Sequence, residues 1–161
     1  MRFVVRKILV TTDFSESSIH AIDCAVALAL DKGAELYVFH VVEKFMDYSL
    51  LYSDIFPFQV PSRDAYREIE DRTKERIARS LGEYEARGLE AHALVTTGAA
   101  HVEIIRAAER EEIDLIVIAT HGRSGLTHAI LGSTAEKVVR RSPCPVLVIR
   151  KDGRNPLVAE E

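Results

Sequence analysis

Asp114-Leu115-Ile116-Val117-Ile118-Ala119, followed by Thr120-His121-Gly122, decides the fold. Five aliphatic residues in a row, with no polar alternation, make a strand that must be covered on both faces, as strands of parallel sheets are. The run Glu35-Leu36-Tyr37-Val38-Phe39-His40-Val41-Val42 has the same character. Lys7-Ile8-Leu9-Val10-Thr11 and Val146-Leu147-Val148-Ile149 add shorter strands at either end, and Leu89 to Thr97 alternates well enough for one more.

Helical patterns separate these runs. Thr12-Asp13-Phe14-Ser15-Glu16 is a helix-start cluster, and Ile19, Ile22, Val26 and Ala29 follow at spacings of three and four before Gly33 ends the pattern. From Ser62 a long charged helix runs to about Arg87. Its stripe is Tyr66, Ile69, Thr73, Ile77, Leu81 and Tyr84, its other faces are solvated charge, and Gly88 closes it. Val102, Ile105 and Ala108 mark a third helix, and Ser133 to Arg141 a fourth, with Pro143-Cys144-Pro145 turning into the last strand.

Five strands alternating with four helices predict an α/β fold: one domain, a doubly wound parallel sheet with helices on both faces, its crossovers right-handed. Strand order is not legible at this level. The place of a ligand is, because open α/β sheets bind beyond the carboxyl ends of the strands, where the winding reverses.

Residues 43–61 interrupt the rhythm. Phe45, Met46, Tyr48, Leu50, Leu51, Tyr52, Ile55, Phe56 and Phe58 crowd together without a clean period, which reads as an insertion that packs over the domain or against a partner subunit, or as plain core cover. Residues 152–161 read as a flexible tail.

Composition limits the function classes. The chain has 161 residues, 47% hydrophobic and 29% charged, with a net charge of −4; the isoelectric point is about 5.9 and the mean hydropathy +0.01. An acidic balance argues against a nucleic-acid surface. Arg6 and Lys7 break the apolar start, and no run approaches the roughly 18 residues of a membrane span, so the expected location is cytoplasmic. Cys24 and Cys144 have no CxxC partner or metal-ligand spacing and read as thiols, Cys24 in the core and Cys144 in a turn.

After the fourth strand, Ala119-Thr120-His121-Gly122-Arg123-Ser124-Gly125 continues through Leu131 to Gly132-Ser133-Thr134 at a helix start. Glycines allow the backbone to approach an anion, and a helix N-terminus offers N–H groups and the positive end of its dipole. Ser133 and Thr134 add hydroxyls and Arg123 a charge. The bland alternative is an ordinary loop with a serine N-cap. The chain contains no GxxxxGK[ST] loop and no evident carboxylate pair for magnesium. His121 and His128 flank the loop, while His20, His40, His92 and His101 are scattered without ligand spacing. No catalytic residue is singled out.

Ile8-Leu9-Val10-Thr11-Thr12-Asp13-Phe14-Ser15, His121-Gly122-Arg123-Ser124-Gly125-Leu126, Gly132-Ser133-Thr134-Ala135-Glu136-Lys137-Val138 and Pro143-Cys144-Pro145-Val146-Leu147-Val148 strongly resemble the universal stress protein family. The resemblance spans residues 1–151 apart from the insertion. It implies a Rossmann-like, adenine nucleotide alpha hydrolase-like fold. In the ATP-binding branch the loop is Gly, two residues, Gly, nine residues, Gly, then Ser or Thr, which falls on Ala119, Gly122, Gly132 and Ser133, with alanine in place of the first glycine.

By the same resemblance Thr12, Asp13 and Val41 contact the adenosine part of ATP, ADP or AMP, and Gly122, Arg123, Gly132, Ser133 and Thr134 hold the phosphates, with or without magnesium. Asp13, three residues before Glu16, has a competing role as a helix cap. The resemblance also implies a homodimer through Val146 to Ile149. The expected function is a nucleotide-binding regulatory module with room for an unidentified protein partner; the alternatives are a slow ATPase or nucleotidyl-handling enzyme, and a structural dimer that binds no nucleotide.

Overall fold

A computed structural model describes residues 4–43, 62–120 and 131–150; the insertion, the middle of the glycine-bearing loop and the tail lie outside the described residues. The elements are β1 (Lys7–Thr11), α1 (Glu16–Lys32), β2 (Glu35–Glu43), α2 (Arg63–Glu85), β3 (Ala91–Gly98), α3 (Ala100–Arg110), β4 (Leu115–Ala119), α4 (Ser133–Arg141) and β5 (Val146–Ile149). All neighbouring strands pair in parallel, in the order β3-β2-β1-β4-β5. The chain winds outward from β1 to β3, crosses back over the sheet, and continues from β4 to β5. The winding therefore reverses between β1 and β4.

Alternation along each strand divides the interior in two. Ile8, Val10, Leu36, Val38, Leu115 and Val117 face α1 and α2, meeting Ala25, Ala29, Ile77 and Leu81. Leu9, Tyr37, Phe39, Ile116 and Ile118 face α3 and α4, meeting Ile104, Ala107, Ala108, Ala135 and Val138. β1 and β4 are buried on both sides, which is why their sequences carry no alternation. Asp114 aligns their starts: its Oδ2 accepts the N–H groups of Arg6 (2.8 Å) and Lys7 (3.0 Å).

Two helices end as their glycines require. Gly33 (φ 62°) and Gly88 (φ 89°) adopt the left-handed conformation, and the following residues bond back, Ala34 N–H to Ala29 O and Leu89 N–H to Tyr84 O. Two stripes read from sequence are corrected. Ile19 is 51% exposed, and the buried positions of α1 are Ser18, Ala21, Cys24, Ala25, Val26 and Ala29, so in the first turn the covered side is that of Ser18. On α3 the buried face is Ile104, Ala107 and Ala108 rather than one containing Ile105, a rotation by one residue that brings α3 against α4 as well as the sheet.

Cys24 is fully buried on the sheet-facing side of α1. Cys144 is half-buried in the turn before β5, where Ser142 Oγ donates to its carbonyl (2.6 Å) and accepts its N–H (3.2 Å). Burial pushes the Cys144 thiol up, with the Ser142 hydrogen bond opposing it more weakly. Since the thiolate is the nucleophile, iodoacetamide at neutral pH is expected to alkylate native Cys144 more slowly than a small free thiol and to leave Cys24 intact, both reacting quickly in urea. Mass spectrometry of the time course checks this; rapid native labelling of Cys144 would refute it.

Candidate functional site

At the carboxyl ends of β1, β2 and β4 the sheet opens into a cleft of about 940 Å³. Its floor is Thr11 and Thr12 at the end of β1, Val41 to Glu43 from β2, and Ala119 and Thr120 at the end of β4; Gly132, Ser133, Thr134 and Ala135 form one wall, and Ile69, Thr73 and Arg76 of α2 form the opposite rim. The cleft sits at the reversal of the winding, where a doubly wound sheet separates its two outgoing connections. Its volume lies within the range of about 300–1,000 Å³ usual for small-molecule sites.

The turn between β1 and α1 is tightly tied. Thr12 is 6% exposed; its N–H reaches Phe39 O (2.9 Å) and its Oγ1 lies 3.1 Å from Ser18 Oγ while accepting Phe14 N–H (3.1 Å). Ser15, not Asp13, is the N-cap of α1, its hydroxyl accepting Ser18 N–H (3.3 Å). Asp13 Oδ1 accepts Ser15 N–H (3.0 Å), so the carboxylate braces the turn one step ahead of the cap while lining the cleft. The capping-box expectation is corrected accordingly: with Ser15 at the cap, Glu16 is the first helical residue instead of the third.

At the other wall, the N-cap of α4 is Gly132, with φ −67° and ψ 153° and no side-chain cap. Ser133 is the first helical residue, so the serine-cap alternative fails. The first turn of the helix lines the cleft, and among the described residues no side-chain oxygen caps its N–H groups, with the dipole behind them. Gly132 N–H donates to Thr120 O (2.7 Å), which fastens the loop's return to its point of departure. Ala119 is paired with Ile149 as the last residue of β4; an extended backbone accepts an alanine as readily as a glycine.

Of the residues expected at the site, the cleft gathers Thr12, Asp13, Val41, Ala119, Gly132, Ser133 and Thr134. Gly122 and Arg123, together with His121 and His128, lie outside the described residues. Among the lining residues that the sequence reading did not place at the site are His40, Phe14 and Arg76. His40 Nδ1 lies 2.7 Å from Thr12 O, which as a pure acceptor requires the proton on Nδ1. Phe14 packs on His40 with ring centroids 4.8 Å apart and has φ 64°, an uncommon conformation for an aromatic residue. Arg76 places its guanidinium 4.3 Å over the Phe14 ring. The signal for Arg76 was present: it follows Ile69 and Thr73 at helical spacing, on their own stripe.

These features define a doubly wound α/β protein with a helix-terminus cleft at its switch point. The universal stress protein family model matches residues 5–150, and the chain belongs to that family. It is 33% identical to universal stress protein MJ0531 of Methanocaldococcus jannaschii over 91% of this chain and 82% of that one, and 31% identical to universal stress protein YxiE of Bacillus subtilis over 89% and 98%. Among solved structures, that of MJ0577 superimposes with a TM-score of 0.76 at 27% identity, covering 94% and 99%. A universal stress protein solved in complex with cAMP gives 0.57 at 25%, covering 91% and 97%. No described helix is long and apolar enough to cross a membrane.

Proposed function

We propose that this protein binds an adenine nucleotide, ATP or a related mono- or cyclic nucleotide, in the cleft between β1 and β4, and acts as a cytoplasmic regulatory module whose occupancy is read by other surfaces. The observation that carries this is the N-terminus of α4. It opens into a nucleotide-sized cleft with glycine at its cap, leaving N–H donors and the dipole available to an anion. The complex of a family member with cAMP supports the same class of ligand.

In this reading the phosphates lie on the backbone N–H groups and hydroxyls of Ser133 and Thr134 at Gly132, with Gly122 and Arg123 completing the loop. Thr12, Asp13 and Val41 receive the adenosine, Asp13 offering a carboxylate oxygen to a ribose hydroxyl. Magnesium, where it accompanies ATP, supplies charge neutralisation on the phosphates. β5 is an edge strand, and Val146, Leu147 and Val148 are only partly buried; a second copy pairing there would cover both apolar edges.

Calorimetric titration with ATP, with and without magnesium, and in parallel with AMP and cAMP, tests the nucleotide reading. Saturable binding at micromolar concentrations is expected. Absence of binding at millimolar nucleotide would overturn it. Sedimentation is expected to give twice the chain mass, and a monomer after Val148→Lys; a wild-type monomer at tens of micromolar would refute the dimer.

A further inference from the structure

The end of the sheet opposite the cleft carries a second constellation. β2 and β3 start side by side, with Leu36 opposite Ala91 and Tyr37 opposite His92. One step earlier, Glu35 and Glu90 therefore face each other, and Leu36 N–H fixes that level by donating to Glu90 O (2.8 Å). Like charges directly opposite on paired strands repel. Lys7 is level with Glu35 on β1, but its ammonium is bonded to Glu111 O at 3.1 Å.

His92 Nε2 lies between the two carboxylates, 3.6 Å from Glu35 Oε2 and 3.8 Å from Glu90 Oε1, and one ligand atom from each of the three residues lies within 4.8 Å of the others. Although the side chain is 39% exposed, Nε2 itself is shielded from solvent and has no hydrogen-bond partner among the described residues. These separations exceed an N–H···O bond. The two imidazole–carboxylate separations approach the edge of a tetrahedron around a metal with bonds of about 2.1 Å, which is about 3.4 Å; the carboxylate oxygens, within 4.8 Å of each other, would reach it by rotation of the exposed Glu90 side chain. Two supports already stand behind the donors: Tyr37 hydroxyl donates to Glu35 Oε2 (2.8 Å), and the Tyr37 ring packs on the imidazole with centroids 4.7 Å apart. A hydrogen bond to a ligating carboxylate and a braced imidazole are what metal sites use to orient their donors.

We propose that Glu35, Glu90 and His92 form a site for a borderline divalent cation, zinc or a neighbour of it, with its remaining position open to water or to a donor from another molecule. One imidazole and two carboxylates suit such a cation better than calcium or magnesium, which take oxygen donors. Six residue steps along β2 separate Glu35 from Val41, about 20 Å, so this site is distinct from the cleft.

Calorimetry with Zn²⁺ and visible absorption with Co²⁺ on the intact chain test it. The expected result is one saturable equivalent, a Co²⁺ spectrum of low coordination number, and a Zn²⁺-dependent rise in melting temperature. His92→Gln should abolish all three. Tyr37→Phe should weaken Zn²⁺ about tenfold by releasing Glu35. Glu90 is exposed and precedes β3, so Glu90→Gln reads the site even if His92→Gln perturbs the strand. No saturable Zn²⁺ binding by the intact chain, or binding that survives both Glu90→Gln and His92→Gln, would overturn the proposal.

Discussion

Gly132→Asp is expected to weaken ATP binding about ten- to hundredfold while leaving the melting temperature unchanged or slightly higher. The backbone at Gly132, φ −67° and ψ 153°, suits any L-residue, and aspartate is among the best N-caps. Its carboxylate would accept the N–H groups of Thr134 or Ala135 and set a negative charge where the phosphate is proposed to lie. Losing one charge-assisted hydrogen bond costs about 1.5–3 kcal/mol, which is the stated change in affinity. Gly132→Ser caps the same groups without charge and should cost less, so the pair separates repulsion from competition for donors. Calorimetry on the two variants decides the matter. Unchanged ATP affinity in Gly132→Asp would remove the anion from the α4 terminus.

The largest stability effect is expected at Ile116, fully buried in β4 between β1 and β5 and packed toward α3 and α4. Ile116→Ala should destabilise by about 2–5 kcal/mol, since the neighbouring strands prevent collapse around the cavity. That is a large share of the roughly 5–15 kcal/mol typical of a domain. Ile19→Ala, at a 51% exposed position, should stay within about 0.5 kcal/mol. Urea unfolding, with the midpoint moving at constant slope, measures both. A similar cost at the two positions would mean that Ile19 is covered in solution.

The sequence alone determined the class of fold, because backbone pairing and burial act on runs of neighbouring residues. A strand covered on both faces must lack alternation, which made β1, β2 and β4 legible. Helices of a crossover layer must carry an apolar stripe and a stop, and Gly33 and Gly88 mark two of the stops. The fourth helix and the last strand were read with the bounds the structure has, since Pro143 and Pro145 bracket the turn between them. The glycine spacing ending at Gly132-Ser133 likewise pointed to one helix terminus as the place for an anion.

Tertiary structure decided what depends on which elements become neighbours. Strand order, and with it the switch point between β1 and β4, follows from packing of helices across a sheet and leaves no mark in local pattern. The burial of Ile104 instead of Ile105 reflects a helix turned to meet α4 as well as the sheet, and in the first turn of α1 it is Ser18, not Ile19, that tertiary packing covers. Arg76, Phe14 and His40 come from three separate elements and meet only at the rim of the cleft. Glu35 and Glu90 are 55 positions apart in sequence, and only the parallel register of β2 with β3 brings two like charges level with each other beside an imidazole.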